Sequence, residues 1–131
     1  MKSSTIMREI NTITVIAGLA VIFDYLYLSS FSKQFAKVFK QIQGSEMEVV
    51  LISAAWVYLL MVFVIYYFGF VRKLSAIDMG ILGVAIYGIY EWTNHATIKD
   101  WPYWMVVVDS IWGGILFYSV FSLSKLIMSK I

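Results

Sequence analysis

Apolar residues gather into four long stretches, separated by short groups of charged and turn-forming residues. Residues 12–30 carry one charge, Asp24, and residues 49–71 carry none. Residues 76–93 hold Asp78 and Glu91 near their two ends, and residues 103–124 hold only Asp109. A helix needs roughly 20 mostly apolar residues to cross the hydrocarbon core of a bilayer. A lone strand there would leave its backbone unpaired in lipid, so each stretch predicts a transmembrane helix. The expected fold is all-α: one transmembrane domain, residues 1–131, forming an up-down-up-down four-helix bundle.

Capping patterns support these divisions. Ser45-Glu46-Met47-Glu48 has capping-box spacing ahead of the second stretch, and Ser75-Ala76-Ile77-Asp78 has it ahead of the third. Pro102, with Asp100 as a possible cap before it, stands where a first helical turn tolerates proline. Arg72 and Lys73 leave so short a link that the second and third spans must form an antiparallel hairpin.

Between the first and second spans the periodicity changes. Phe31, Phe35, Val38, Phe39 and Ile42 fall on one helical face, and Lys33, Lys37 and Lys40 on the other. This predicts a short amphipathic helix lying in the membrane interface with its lysines toward headgroups. The competing reading is a helix packed outside the membrane with a solvated lysine face.

Composition agrees with the membrane reading. The chain is 61% hydrophobic and 14% charged, whereas soluble domains carry about 25% charged residues. The net charge of +2 and the lack of a basic run argue against nucleic acid as a partner. With no cysteine and one histidine, His95, thiolate and common zinc sites are ruled out. No cofactor is implied. The first stretch lacks a small-x-small exit before Tyr25 and Tyr27, so it is expected to be retained. Expected partners are the lipid bilayer, a second copy, or other membrane proteins.

An even number of spans puts both termini and the Arg72–Lys73 link on one side. That side holds Lys2, Arg8, Arg72, Lys73, Lys125 and Lys130, and the other holds Lys33, Lys37, Lys40 and Lys99. The positive-inside tendency places both termini in the cytoplasm.

The candidate chemistry lies in the in-membrane acids. In the expected topology Asp24, Glu91 and Asp109 all fall toward the same leaflet. Charge at membrane depth is expensive and normally faces the bundle interior, where it is paired or functional. Gly80, Gly83, Tyr87, Glu91 and Asn94 share one helical face, and Asp109, Trp112, Gly113 and Leu116 share another. Glycines allow close helix approach, so these two stripes are expected to meet and gather the acids. Such acids either bind a ligand or proton or serve as glue between helices. The aromatic group Trp92, Trp101, Tyr103 and Trp104 reads as an interfacial belt or a headgroup pocket.

The same residues carry a resemblance. Tyr87-Gly88-Ile89-Tyr90-Glu91-Trp92-Thr93-Asn94-His95-Ala96-Thr97, then Trp101-Pro102, then Asp109-Ser110-Ile111-Trp112-Gly113, resembles the signature of a small four-span membrane family. That family is known as domain of unknown function 2177, with the pattern Tyr, Asp-x-Thr-Asn-x-Ala-Thr, Trp-Pro, Asp-x-x-Trp-Gly. Phe23-Asp24-Tyr25-Leu26 resembles its acidic motif in the first span. Glu91 stands where the pattern has Asp, and Tyr27 lies near an expected Trp. The resemblance implies the architecture and highlights residues without implying a reaction.

The ligand-binding candidates are therefore Asp24, Tyr87, Glu91, Thr93, Asn94, Asp109 and Trp112, with no catalytic residue assigned. The favoured function is binding of a cation, a proton or a lipid headgroup. The alternatives are a lipid-modifying enzyme using Glu91 and Asp109 as an acid–base pair, and a structural assembly protein. No Ser/His nucleophile pair or phosphate-binding glycine loop is evident, which weighs against the enzyme.

Overall fold

The computed structural model describes residues 2–131, with side chains from Ser4 onward. It contains helices α1 (Lys2–Ser30), α2 (Ser32–Gln43), α3 (Leu51–Val64), α4 (Ala76–Thr97) and α5 (Tyr103–Lys130). A π-helical turn, Ile65–Val71, continues α3 without a break. Among the described residues there is no strand.

Three of these helices are long and apolar enough to cross a membrane: α1, α3 with its π-helical turn, and α5. At 22 residues α4 has the length, but with the polar Asp78, Glu91, Thr93, Asn94 and His95 along it, it is not among the three. The four-span expectation is therefore met for three helices on this measure.

The helix ends separate the two capping patterns. Ser75 caps α4, its Oγ accepting the Asp78 backbone N–H at 3.1 Å. The Ser45 pattern forms no helix start, since α3 begins at Leu51 and Val50 gives no side-chain cap. Instead Gln43 Nε2 donates to the carbonyls of Ser45 at 3.2 Å and Glu46 at 2.9 Å. Lys40 also pairs with Glu46 at 3.2 Å. These bonds tie the acidic segment to the end of α2, and the helix starts only at the uncharged run. Pro102 is itself the residue before α5, and no side chain, Asp100 included, caps that helix.

The closest helix pairing is between α4 and α5. A Cβ on Gly83 would collide with the Gly113 carbonyl oxygen and come within 2.8 Å of Phe117 Cβ. Only glycine permits this approach, so the two expected stripes do meet. Toward the Arg72–Lys73 link, the π-helical turn presses Gly69 against Phe121. There Ile16, Met61, Ile65, Met79 and Phe121 form the main apolar core.

The amphipathic helix α2 is present, with its lysines exposed. Its apolar face is turned onto the bundle, where Phe35 and Val38 are buried. Phe35 contacts Tyr27 at 5.8 Å and stacks on Trp104 at 5.9 Å. Phe39 meets Trp101 edge-on at 5.7 Å. Burying an apolar side chain of this size stabilises by roughly 1.5–3 kcal/mol. The bundle's own aromatic end thus covers the face that the sequence pattern assigned to lipid.

Candidate functional site

Helices α1 and α5 run antiparallel: Arg8 donates to the Met128 carbonyl at one end, and Tyr27 meets Asp109 near the other. Asp24 and Tyr27 are three residues apart on α1, as are Asp109 and Trp112 on α5, so each pair shares a helix face. The two pairs exchange hydrogen bonds. The Tyr27 hydroxyl donates to Asp109 Oδ1 at 2.5 Å, and Trp112 Nε1 donates to Asp24 Oδ1 at 3.2 Å. The Tyr27 and Trp112 rings stack, with centroids 4.5 Å apart and planes 3° apart. From α3 the Tyr58 hydroxyl donates to Asp24 Oδ2 at 2.6 Å.

Glu91 completes the acidic end from α4. Its side chain is fully buried, and Oε1 accepts from Trp101 Nε1 at 2.9 Å. The Asp109 and Glu91 carboxyls lie within hydrogen-bonding range of each other, and Glu91 Oε2 has no N–H or hydroxyl partner. Trp101 reaches back over α4 because the short link turns sharply, with Asp100 in the left-handed region at φ 67°. Phe39 then closes over Trp101 from α2.

Beside these groups lies a cavity of about 590 Å³. Asp24, Asp109, Tyr27, Tyr87, Tyr90 and Trp112 form its polar and aromatic wall, and Val57, Leu60, Met61 and Val64 of α3 form its apolar wall. The volume falls within the range of roughly 300–1,000 Å³ usual for small-molecule sites. No lysine or arginine lines it. Among the described residues the one ion pair is the exposed Lys40–Glu46, so the three acids meet only neutral donors.

The family described as predicted membrane protein, domain of unknown function 2177 (DUF2177), matches residues 10–126. The chain belongs to this family. No curated protein and no solved structure matches it. In this DUF2177 protein the matched region includes all three acids and every aromatic donor named above.

Of the residues singled out in the sequence, Asp24, Glu91, Asp109 and Trp112 come together at this end, with Tyr87 on the cavity wall. Tyr87 packs edge-on against Phe117 at 6.2 Å. Asn94 is half-buried and within reach of the Tyr90 hydroxyl. Thr93 is exposed, and its hydroxyl donates to the Ile89 carbonyl at 2.6 Å, so it stands apart. His95 lies against the Tyr103 ring at 4.1 Å. Three participants were not singled out as ligands: Tyr27, Tyr58 and Trp101. The repeated spacing Asp-x-x-Tyr and Asp-x-x-Trp on α1 and α5 is the signal that points to Tyr27. Trp101 stands in the Trp-Pro of the signature and in the aromatic group read as a belt or headgroup pocket, whereas Tyr58 carries no mark.

Proposed function

We propose that this DUF2177 protein binds a positive charge at the pocket lined by Asp24, Asp109 and the surrounding aromatic residues, with Glu91 buried behind Asp109. A proton, a small cation and a cationic headgroup share that chemistry. The observation that carries the reading is the donor set: Tyr27, Tyr58, Trp101 and Trp112 contact the acids, and every one is neutral. A carboxylate at membrane depth is expensive and is ordinarily offset by a cation or a proton. Neutral donors orient the oxygens without cancelling their charge, so the balancing charge comes from outside the chain.

In this reading α4 is a fourth span. Its 22 residues suffice for a crossing of roughly 20, and its glycines seat it against α5 while Glu91 faces inward. Both termini then share a side with six basic residues against four, which favours the cytoplasm.

Infrared difference spectra of the protein in nanodiscs, recorded across pH and with added tetramethylammonium, test the binding reading. Carboxyl bands should respond to both in the wild type. Asp109→Asn should remove its own band and also move the midpoint at which the Glu91 band titrates. Bands indifferent to the added cation, with the Glu91 midpoint unmoved by Asp109→Asn, would show separate interhelical hydrogen bonds and no shared site.

A further inference from the structure

The cavity beside the acids is not closed on all sides. Helix α4 touches the α3 segment chiefly through the π-helical turn near the Arg72–Lys73 link. At the acidic end the two helices part. The cavity lies in that gap, flanked by exposed Val57 and Leu60 on α3 and exposed Tyr90 and Ile86 on α4. Because α3 is an apolar spanning helix, the gap opens sideways toward lipid chains. The charged groups of the lining are Asp24 and Asp109, with Tyr27, Tyr87 and Trp112 beside them and Tyr90 at the rim.

We infer that the occupant is a single-chain amphiphile whose headgroup is an alkylammonium, admitted laterally from the bilayer between α3 and α4. The inference rests on the cation-binding reading and names its ligand class. Charge complementarity selects the head: two carboxylates, Asp24 and Asp109, line the cavity, with the buried Glu91 carboxyl against Asp109 behind them. Aromatic faces favour an organic ammonium, which they attract through the ring quadrupole. Among the described residues no three acidic or histidine side chains are grouped to hold a metal ion, which disfavours a coordinated metal. The absence of a lysine or arginine in the lining leaves a phosphate unmatched, which disfavours phospholipids. The apolar wall from Val57 to Val64 then takes the chain. A second cavity of about 490 Å³, on the α1–α5 side of the Tyr27–Trp112 stack, is lined by Phe23, Leu26, Ile111 and Ile115 without a charged group. It lacks the complementarity that selects a head.

Native mass spectrometry of the full chain from a neutral maltoside detergent tests this with four probes. They are hexadecyltrimethylammonium, tetramethylammonium, hexadecanol and a lysophosphatidylcholine. Hexadecyltrimethylammonium should bind one per chain, at least tenfold more tightly than each of the other three. Asp24→Asn combined with Asp109→Asn should abolish that preference. Val57→Trp fills the gap from the lipid side without touching the acids. It should weaken hexadecyltrimethylammonium at least tenfold and leave tetramethylammonium unchanged. If tetramethylammonium binds the wild type as tightly as the long-chain cation, the amphiphile inference falls and the cation site stands. Equal binding of lysophosphatidylcholine overturns the phosphate-free headgroup alone. Equal binding of hexadecanol, or no binding by any probe, overturns both the inference and the cation reading.

Discussion

Tyr27 and Trp112 lie face to face 4.5 Å apart, and each donates a hydrogen bond to the acid on the other's helix. The arrangement fixes the register of α1 against α5. A slip of one turn, about 5.4 Å, would break both bonds and the stack together. Stability and the placement of two carboxylates therefore depend on the same four side chains.

The exchange should be measurable as coupling. Tyr27→Phe keeps the stacked ring and removes one donor, so it should destabilise by about 1 kcal/mol. Tyr27→Ala removes the stack as well and should cost about 3–5 kcal/mol. In a double-mutant cycle Tyr27→Phe and Asp109→Asn should couple by roughly 1 kcal/mol, read from equilibrium unfolding in mixed micelles. Additive effects would mean the bond contributes nothing to α1–α5 pairing.

Gly83→Ala should separate α4 from α5, since its Cβ meets the Gly113 carbonyl. A cost of about 1–3 kcal/mol is expected from overpacking. Gly18→Ala provides the control, because a Cβ there meets nothing within 4 Å. Equal unfolding midpoints for the two variants would show that α4 tolerates withdrawal from α5.

Phe35→Glu should release α2, lowering its amide protection at least tenfold, while Lys37→Glu should leave it unchanged. Phe35 is buried against Tyr27 and Trp104, and Lys37 is exposed. Hydrogen exchange over Ser32–Gln43 reads the difference. Matching exchange in both variants would contradict docking of the apolar face on the bundle.

Topology is open to direct labelling. The chain contains no native cysteine to remove. Single cysteines at Lys73 and at Lys99 should react from opposite sides of the membrane, with Lys99→Cys accessible from outside intact cells. Labelling of both from one side would remove α4 as a span. Labelling of Lys73→Cys alone from outside would reverse the orientation.

Helix number and type were legible because long apolar runs admit few alternatives in lipid. The α4–α5 pairing was legible too, since Gly80, Gly83 and Gly113 mark the faces that approach. What covers an apolar face was not. The Phe35–Val38 stripe is equally consistent with lipid and with protein, and the choice follows from Tyr27, Trp101 and Trp104 standing where α2 folds back. Ser45 had the spacing of a cap without the helix behind it, because Glu46 and Glu48 stay outside the apolar run. The acids were visible as charges out of place. Of their donors only Trp112 was, since an aromatic residue in a membrane chain ordinarily reads as packing or anchoring. Which hydroxyl or indole meets which carboxyl depends on how neighbouring helices are rotated, and no single helix encodes that.

The covering of the acidic end by α2 bears on supply. Phe35, Val38 and Phe39 cover the acidic end of the bundle, while the gap is bounded by the exposed apolar Val57 and Leu60 and, on the lateral-entry proposal, faces the hydrocarbon. A solute that reaches Asp24 by that gap must first dissolve in the membrane. Occupancy would then follow its mole fraction in the bilayer. A compound scarce in solution but strongly partitioned would fill the site at total concentrations where a soluble analogue with the same head occupies it only sparsely.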